Sequence, residues 1–172
     1  MSARPPAGQA PILDDATLPG FLDETRREGL RLVFTNGCFD LIHPGHVAYL
    51  AEARALGDRL LVGLNTDASV RRLKGPDRPL VPQADRAQVL ASLRFVDGVV
   101  LFGEETPRTL ILRVRPHVLV KGGDYRPEEV VGASDLPRWG GELRILPFRP
   151  GYSTSDLIDR LRKSKGTNPF SA

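Results

Sequence analysis

"LVFTNGCFDLIHPGHVAYL", residues 32–50, is the passage that decides the fold. It opens as an apolar strand, crosses a turn containing Gly37, and reaches Pro44, which suits a first helical turn because its missing N–H would be unpaired there and its φ is already set. His43 then stands at the N-cap. With His46 three residues on, both imidazoles reach the same side of the first turn, where free backbone N–H groups and the positive end of the helix dipole favour an anion. Gly37 lets backbone N–H groups come close, and Gly45 removes a side chain that would obstruct a phosphate. The stretch therefore predicts a phosphate cradle with two imidazoles as additional donors. Two histidines that only cap or decorate a helix are the bland alternative. A metal site lacks a third ligand nearby and sets a cation against the positive helix end, so no metal site is expected.

Working outward, apolar strand-like runs alternate with helical patterns. Leu30 to Thr35 is the first strand and Pro44 to Leu56 a helix stopped by Gly57. "RLLVGLN" (59–65) is the second strand, Ala84 to Phe95 has helical spacing, and "GVVLF" (98–102) follows. A helix near Pro107 to Val114, "HVLVKG" (117–122), a strand at Glu142 to Phe148 and a helix at Thr154 to Arg162 complete the pattern. Strands of continuous apolar character separated by helices predict a five-stranded parallel sheet covered on both faces, a doubly wound, Rossmann-like α/β domain. In such sheets ligands bind beyond the carboxyl ends of the strands, near the point where the winding reverses. Before the first strand, Phe21 to Glu28 reads as a short helix closed by Gly29. Residues 1–11, small and proline-rich, read as a disordered tail, leaving one domain over 12–172.

The bulk properties set limits. A chain of 172 residues suits one domain of ordinary size. The net charge of +3 comes from basic residues interleaved with acidic ones, a weak argument for an anionic ligand and a poor one for a nucleic-acid surface. One cysteine, Cys38, excludes an internal disulfide and reads as a small packed residue. No signal peptide and no membrane-spanning run is evident, so a cytoplasmic protein with no membrane partner is expected.

Other strand ends carry further candidates. Lys121, Gly122, Gly123, Asp124 and Tyr125 close the fourth strand; the glycines allow close approach of a base or ribose, and Asp124 either accepts from ribose hydroxyls or serves the turn. "GYSTSDL" places Ser153, Thr154 and Ser155 at a second helix N-terminus, where one hydroxyl would suffice for capping. Tyr125 and Trp139 either line a sugar pocket or pack over the sheet, and His117 is assigned no function.

"TNGCFDLIHPGH" resembles the H-x-G-H signature of the nucleotidyltransferase superfamily. "LNTDASVRRLKGPDRPLVPQADRAQVLASL", "VDGVVLFGEETP", "LVKGGDY" and "GYSTSDLI" follow in order. Together they resemble the adenylyltransferase domain that makes ADP-heptose from D-glycero-β-D-manno-heptose 1-phosphate and ATP, over about Arg31 to Leu161. The resemblance implies that His43, His46 and Lys74 are catalytic, Lys74 neutralising phosphate oxygens from the loop after the second strand. It implies nucleotide binding by Thr35, Asn36, Gly37, Phe39, Gly45, Lys121, Gly122, Asp124, Ser153, Thr154 and Ser155. Asp40, Asp67, Arg72 and Tyr125 fall on the substrate side. Some cytidylyltransferases carry an arginine shortly before the last motif; here Arg149 is shifted and Pro150 intervenes.

The chemistry agrees with such a site. A sugar 1-phosphate is anionic near neutral pH, its second pKa being about 6, so no general base is required. The step needs alignment of two charged reactants and stabilisation of charge on the transferring group and the departing pyrophosphate. ATP is the expected nucleotide, with Mg²⁺ bound through its phosphates. The expected partners are a small-molecule sugar phosphate, a second copy of the chain in a homodimer, and a separate sugar kinase, which many relatives carry fused. Two alternatives stay open: a CTP-dependent cytidylyltransferase of a polyol or amino-alcohol phosphate, and a non-catalytic nucleotide-binding regulator.

Overall fold

The computed structural model describes residues 8–147 together with Gly151, Thr154 and Ile158. Among these residues six strands form one sheet: β1 (Ile12–Leu13), β2 (Leu32–Gly37), β3 (Arg59–Asn65), β4 (Gly98–Phe102), β5 (Val118–Gly122) and β6 (Glu142–Leu146). Five helices connect them: α1 (Leu18–Arg27), α2 (Pro44–Arg54), α3 (Asp67–Lys74), α4 (Gln83–Ala91) and α5 (Arg108–Val114). The spatial order is β1-β4-β3-β2-β5-β6, and every pairing is parallel.

Alternation along each strand feeds two cores. Phe34, Leu61 and Leu119 pack with Leu18 and Leu22 of α1, Ile111 and Val114 of α5, and Leu136 of a 3₁₀ segment, Ala133–Trp139. Val33, Leu60, Val62 and Val120 pack with Leu50 and Ala53 of α2 and with Ala87, Leu90 and Ala91 of α4. Helices thus cover both faces, as the doubly wound reading requires. From β2 the chain winds outward to β3 and β4, then crosses back to β5 on the other side of β2. The winding therefore reverses between β2 and β5, and their carboxyl ends open the crevice where a ligand fits.

The sixth strand is β1, too short to show a pattern in sequence. Ile12 pairs with Val99 and Leu13 with Val100, while the Ala10 amide donates to Ala91 O and the Val99 amide to Pro11 O. Ala10 and Pro11, expected in the tail, are thus tied to the domain. α1 begins three residues before Phe21 because Asp14 Oδ1 accepts from the Ala16 and Thr17 amides and from Thr17 Oγ1, and Gly29 follows it at φ +67°. The helix expected to reach Phe95 ends at Ala91. The segment carrying Lys74, expected as a loop, is helix α3; Thr66 caps it, its Oγ1 accepting from the Ser69 amide at 3.3 Å. Of the helix expected over 154–162, Thr154 and Ile158 are described and helical; the rest, with Ser153, Ser155 and Arg149, lies outside the described residues. Among the described residues no helix is long and apolar enough to cross a membrane.

Candidate active site

A cavity of about 460 Å³ opens at the reversal point, between the end of β2, the start of α2 and the end of β5. It gathers Asn36, Gly37, Phe39, His43, Gly45, His46, Lys121, Gly122, Tyr125 and Thr154 from the expected site, with Cys38, Tyr49, Glu52 and Pro147 beside them.

The local sequence builds this wall. His43 is extended at the N-cap of α2, and its Nδ1 accepts from the His46 amide at 3.3 Å. The capping alternative is therefore real: one ring nitrogen satisfies a helix N–H while the ring still lines the cavity. His46 lies over His43 with centroids 3.8 Å apart and planes 23° from parallel. Phe39 closes the other side of His46 at 5.3 Å, and holds a left-handed backbone at φ 44° to do so. Burial, with His43 adding to it and the Leu41 carbonyl opposing, brings the His46 imidazole down to about 4. Burial also lowers His43. Both rings are neutral near pH 7, so each acts there as a hydrogen-bonding group. Buried His46 Nδ1 has no hydrogen-bond partner of normal geometry among the described residues, an unmet polar atom beside the space a phosphate would take.

Lys121 forms the opposite wall. Its Nζ donates to Asn36 Oδ1 at 2.6 Å, and burial brings its ammonium down to about 8, against a smaller opposing effect from Cys38. A buried ammonium held by a neutral amide favours an anion entering beside it. Thr35 stands behind the cavity, its hydroxyl 2.7 Å from Tyr49 Oη; burial raises the Tyr49 phenol well above its ordinary value. Thr154 Oγ1 donates to Leu41 O at 3.5 Å, so the residue expected at the second helix N-terminus reaches the first.

Other expected residues fall elsewhere. Lys74 ends α3, exposed and outside the cavity wall, although its charge acts on the Cys38 thiol, which burial raises. Asp124 is exposed beyond Gly123 and does not line the cavity. Arg72 Nη2 donates to the Gly103 carbonyl. Asp40 is placed as a brace: its side chain is 1% exposed, one oxygen accepts from the Leu80 and Val81 amides and the other from Arg78 Nε at 2.6 Å. Burial alone would raise its carboxyl, but these donors outweigh it and hold it below the usual range. Asp67 Oδ1 accepts from Arg86 Nη2 at 2.6 Å. Of these three, Asp40 has both carboxylate oxygens engaged by the protein, while Asp67 and Arg72 each have one polar atom so engaged, and none of the three lines the cavity.

Tyr49, Glu52 and Arg86 were missed. Tyr49 and Glu52 lie one and two turns beyond Gly45 and His46 on α2, a spacing that could have shown them. Arg86 gives no such signal. Cys38 both packs and lines the cavity. His117, assigned no function, accepts the Leu32 amide on Nδ1 at 2.9 Å. Among the described residues no group of three or more histidine, cysteine or carboxylate side chains is placed to hold a metal ion.

A family model described as cytidylyltransferase-like matches residues 34–160, from within β2 through the last motif. The chain belongs to the cytidylyltransferase-like family. As a member it carries a nucleotidyltransferase domain, and the cavity walls fall within the matched span. It is 52% identical over 157 residues to the bifunctional protein HldE of Geotalea uraniireducens, covering 91% of this chain and 32% of that protein. To the protein of the same name in Rhodopseudomonas palustris it is 55% identical over 152 residues, 88% of this chain and 31% of that one. The chain thus spans about a third of the length of these curated relatives. Among solved structures, a lipopolysaccharide core biosynthesis protein of Thermoplasma volcanium is 28% identical with a TM-score of 0.58, covering 70% of this chain and 98% of that one. The pantoate-beta-alanine ligase of Francisella tularensis, at 14% identity and a TM-score of 0.56 over 95% of this chain and 82% of its own, shares the fold.

Proposed function

We propose that this cytidylyltransferase-like domain transfers the adenylyl group of Mg–ATP to D-glycero-β-D-manno-heptose 1-phosphate. A phosphate oxygen of the sugar attacks the α-phosphorus in line, the bond from that phosphorus to the bridging oxygen breaks, and ADP-heptose and pyrophosphate leave. The observation that carries the reading is the pairing of a histidine-bearing helix N-terminus with a buried lysine across one cavity. The heptose assignment rests on the five sequence blocks and on the similarity to the HldE proteins.

In this reading the neutral imidazoles of His43 and His46, with the first amides of α2, donate to oxygens of the triphosphate as charge builds on them. Lys121 neutralises an oxygen from the opposite wall. Lys74, outside the resting cavity, joins when both reactants are bound, and Thr154 borders the same space. No side chain needs to remove a proton from the nucleophile. Mg²⁺ enters with the nucleotide, bound through its phosphates. The heptose 1-phosphate is the product of a sugar kinase.

The test is pyrophosphate release with ATP or CTP crossed against heptose 1-phosphate, other sugar phosphates and glycerol 3-phosphate. Release with ATP only when heptose 1-phosphate is present is expected. Faster turnover with CTP and glycerol 3-phosphate overturns the heptose assignment, and no release with any pair favours a nucleotide-binding regulator.

A further inference from the structure

We propose that Arg86 is a positioning residue for nucleotidyl transfer, tying the segment that enters Phe39, whose ring packs on His46, to the helix that ends in Lys74. The proposal rests on the functional reading above for its activity readout, and on geometry alone for its structural one.

Arg86 lies on α4, in the "VPQADRAQVLASL" block, and is 1% exposed. It is the largest fully buried side chain described. Its donors reach four separate segments. Nε donates to Val81 O at 2.9 Å, Nη1 to Cys38 O at 2.5 Å and to Asn65 O at 3.0 Å, and Nη2 to Asp67 Oδ1 at 2.6 Å. One planar group therefore joins the residue after β2, the last residue of β3, the first of α3, and the segment leading into α4. A guanidinium suits this junction because its donors form a rigid fork that a lysine cannot reproduce.

Two of these bonds act on groups at or near the cavity. Holding the Cys38 carbonyl orients the peptide that enters Phe39, the residue at φ 44° whose ring closes over His46. Holding Asp67 fixes the start of α3, and the Asp67 amide is itself bonded to Gln83 Oε1 at 2.8 Å. Lys74 ends that two-turn helix, so its reach is set from the same point. Asp40 supplies a second clasp: it binds the Val81 amide while Arg86 binds the Val81 carbonyl. Arg86 does not line the cavity, so it acts on the reaction through these groups.

Burial of an ion pair is a poor way to gain stability, since an apolar pair of similar volume commonly does as well or better. A charge so placed, with one bond on the Cys38 carbonyl at the cavity wall and another on Asp67 at the start of the helix that ends in Lys74, fits a task of alignment. Misplacement of reacting groups by about 1 Å costs roughly a hundredfold in rate.

The experiment uses the full chain with Arg86→Lys, and a second variant, Arg86→Met with Asp67→Leu, that removes the fork without leaving a buried charge alone. Three readouts are taken well below the melting transition: single-turnover rate with ATP and heptose 1-phosphate, calorimetric ATP affinity, and the NMR titration of the histidines. The expected result is a loss of about tenfold to a hundredfold in rate with ATP affinity held within a few fold. The His46 titration is expected to move from about 4 toward the ordinary histidine range as Phe39 loosens. A rate that falls only in step with the folded fraction, with the His46 titration unmoved, overturns the proposal. So does wild-type turnover in the double variant. If the unmodified chain transfers nothing, the functional reading fails, while the His46 titration still decides the brace.

Discussion

The imidazoles of His43 and His46 lie face to face at 3.8 Å, and the His43 ring accepts the amide that begins the His46 residue. This ties the two side chains to one turn of α2. It also divides their work, since His43 spends one nitrogen on the helix while His46 keeps a buried Nδ1 unmet. A neutral donor aimed at charge that develops during transfer contributes mainly in the transition state. His46→Ala is therefore expected to lower kcat by about a hundredfold or more and to weaken ATP binding much less. Steady-state kinetics beside calorimetry checks this; a changed KM with unchanged kcat would make His46 a uniform binder.

In the proposed reading, the Lys121 ammonium, held to about 8 by burial, makes nucleotide binding depend on pH. Below that value the group is charged and attracts phosphate; above it the charge is lost. A bound anion favours the charged form and raises the pKa, so binding takes up protons just above that value. ATP affinity is expected to fall as the pH rises through about 8, by up to roughly tenfold per unit, and Lys121→Met is expected to flatten the dependence. Calorimetry in two buffers of different ionisation enthalpy measures the proton uptake. No uptake by the unmodified chain would show that Lys121 meets no phosphate.

Lys74 stands at the end of a helix, two turns from a capped and braced start, and Gly75 follows at φ +98°. The start of that helix is fixed at Asp67, whose amide donates to Gln83 Oε1 and whose carboxylate accepts from Arg86. Lys74→Ala is expected to remove most of the single-turnover rate and leave ATP affinity within a few fold, because its contact forms after both substrates are present. Loss of ATP binding instead would place Lys74 in the resting nucleotide site.

Gly63 of β3 lies against the residues that aim Lys121. A Cβ added there would stand 2.8 Å from Phe34 Cζ and 3.2 Å from Asn36 Cβ. Gly63→Ala is expected to cost about 1–3 kcal/mol of stability, as overpacking commonly does, and to weaken ATP binding through Asn36. Chemical denaturation and calorimetry on the same sample check both. Normal affinity in the destabilised protein would show that Asn36 does not need its present position.

The parts of the fold that depend on local signals were legible. Continuous apolar runs marked β2 to β5, β6 fell within the strand expected at Glu142 to Phe148, and Pro44 and Gly57 marked the start and stop of α2. β1 was not, because two residues carry no period and owe their pairing to β4. α3 was hidden by its composition: "DASVRRLK" buries little beyond Ser69 and Val70 and looks like a basic loop, although Thr66 already offered a cap. At the cavity, the histidines and glycines were readable because their placement follows from the local turn and the first turn of α2. Asp40, Asp67 and Arg86 were not, since sequence shows a carboxylate but not which distant donor will occupy it. Arg86 in particular sits where an apolar residue would complete the helical pattern.

Trp139 is the one tryptophan of the chain, and its indole N–H donates to Pro116 O at 2.9 Å, just ahead of β5. Lys121 and Gly122 stand at the far end of the same strand, roughly 16 Å away at about 3.3 Å per residue. Intrinsic fluorescence excited at the indole will therefore follow loss of the fold with little background from a ligand. The same emission will barely register nucleotide arriving in the cavity, where Tyr49 and Tyr125 are the nearer chromophores. A tryptophan placed at Tyr125 would give the molecule a second optical signal, one end of the sheet reporting on folding and the other on occupancy.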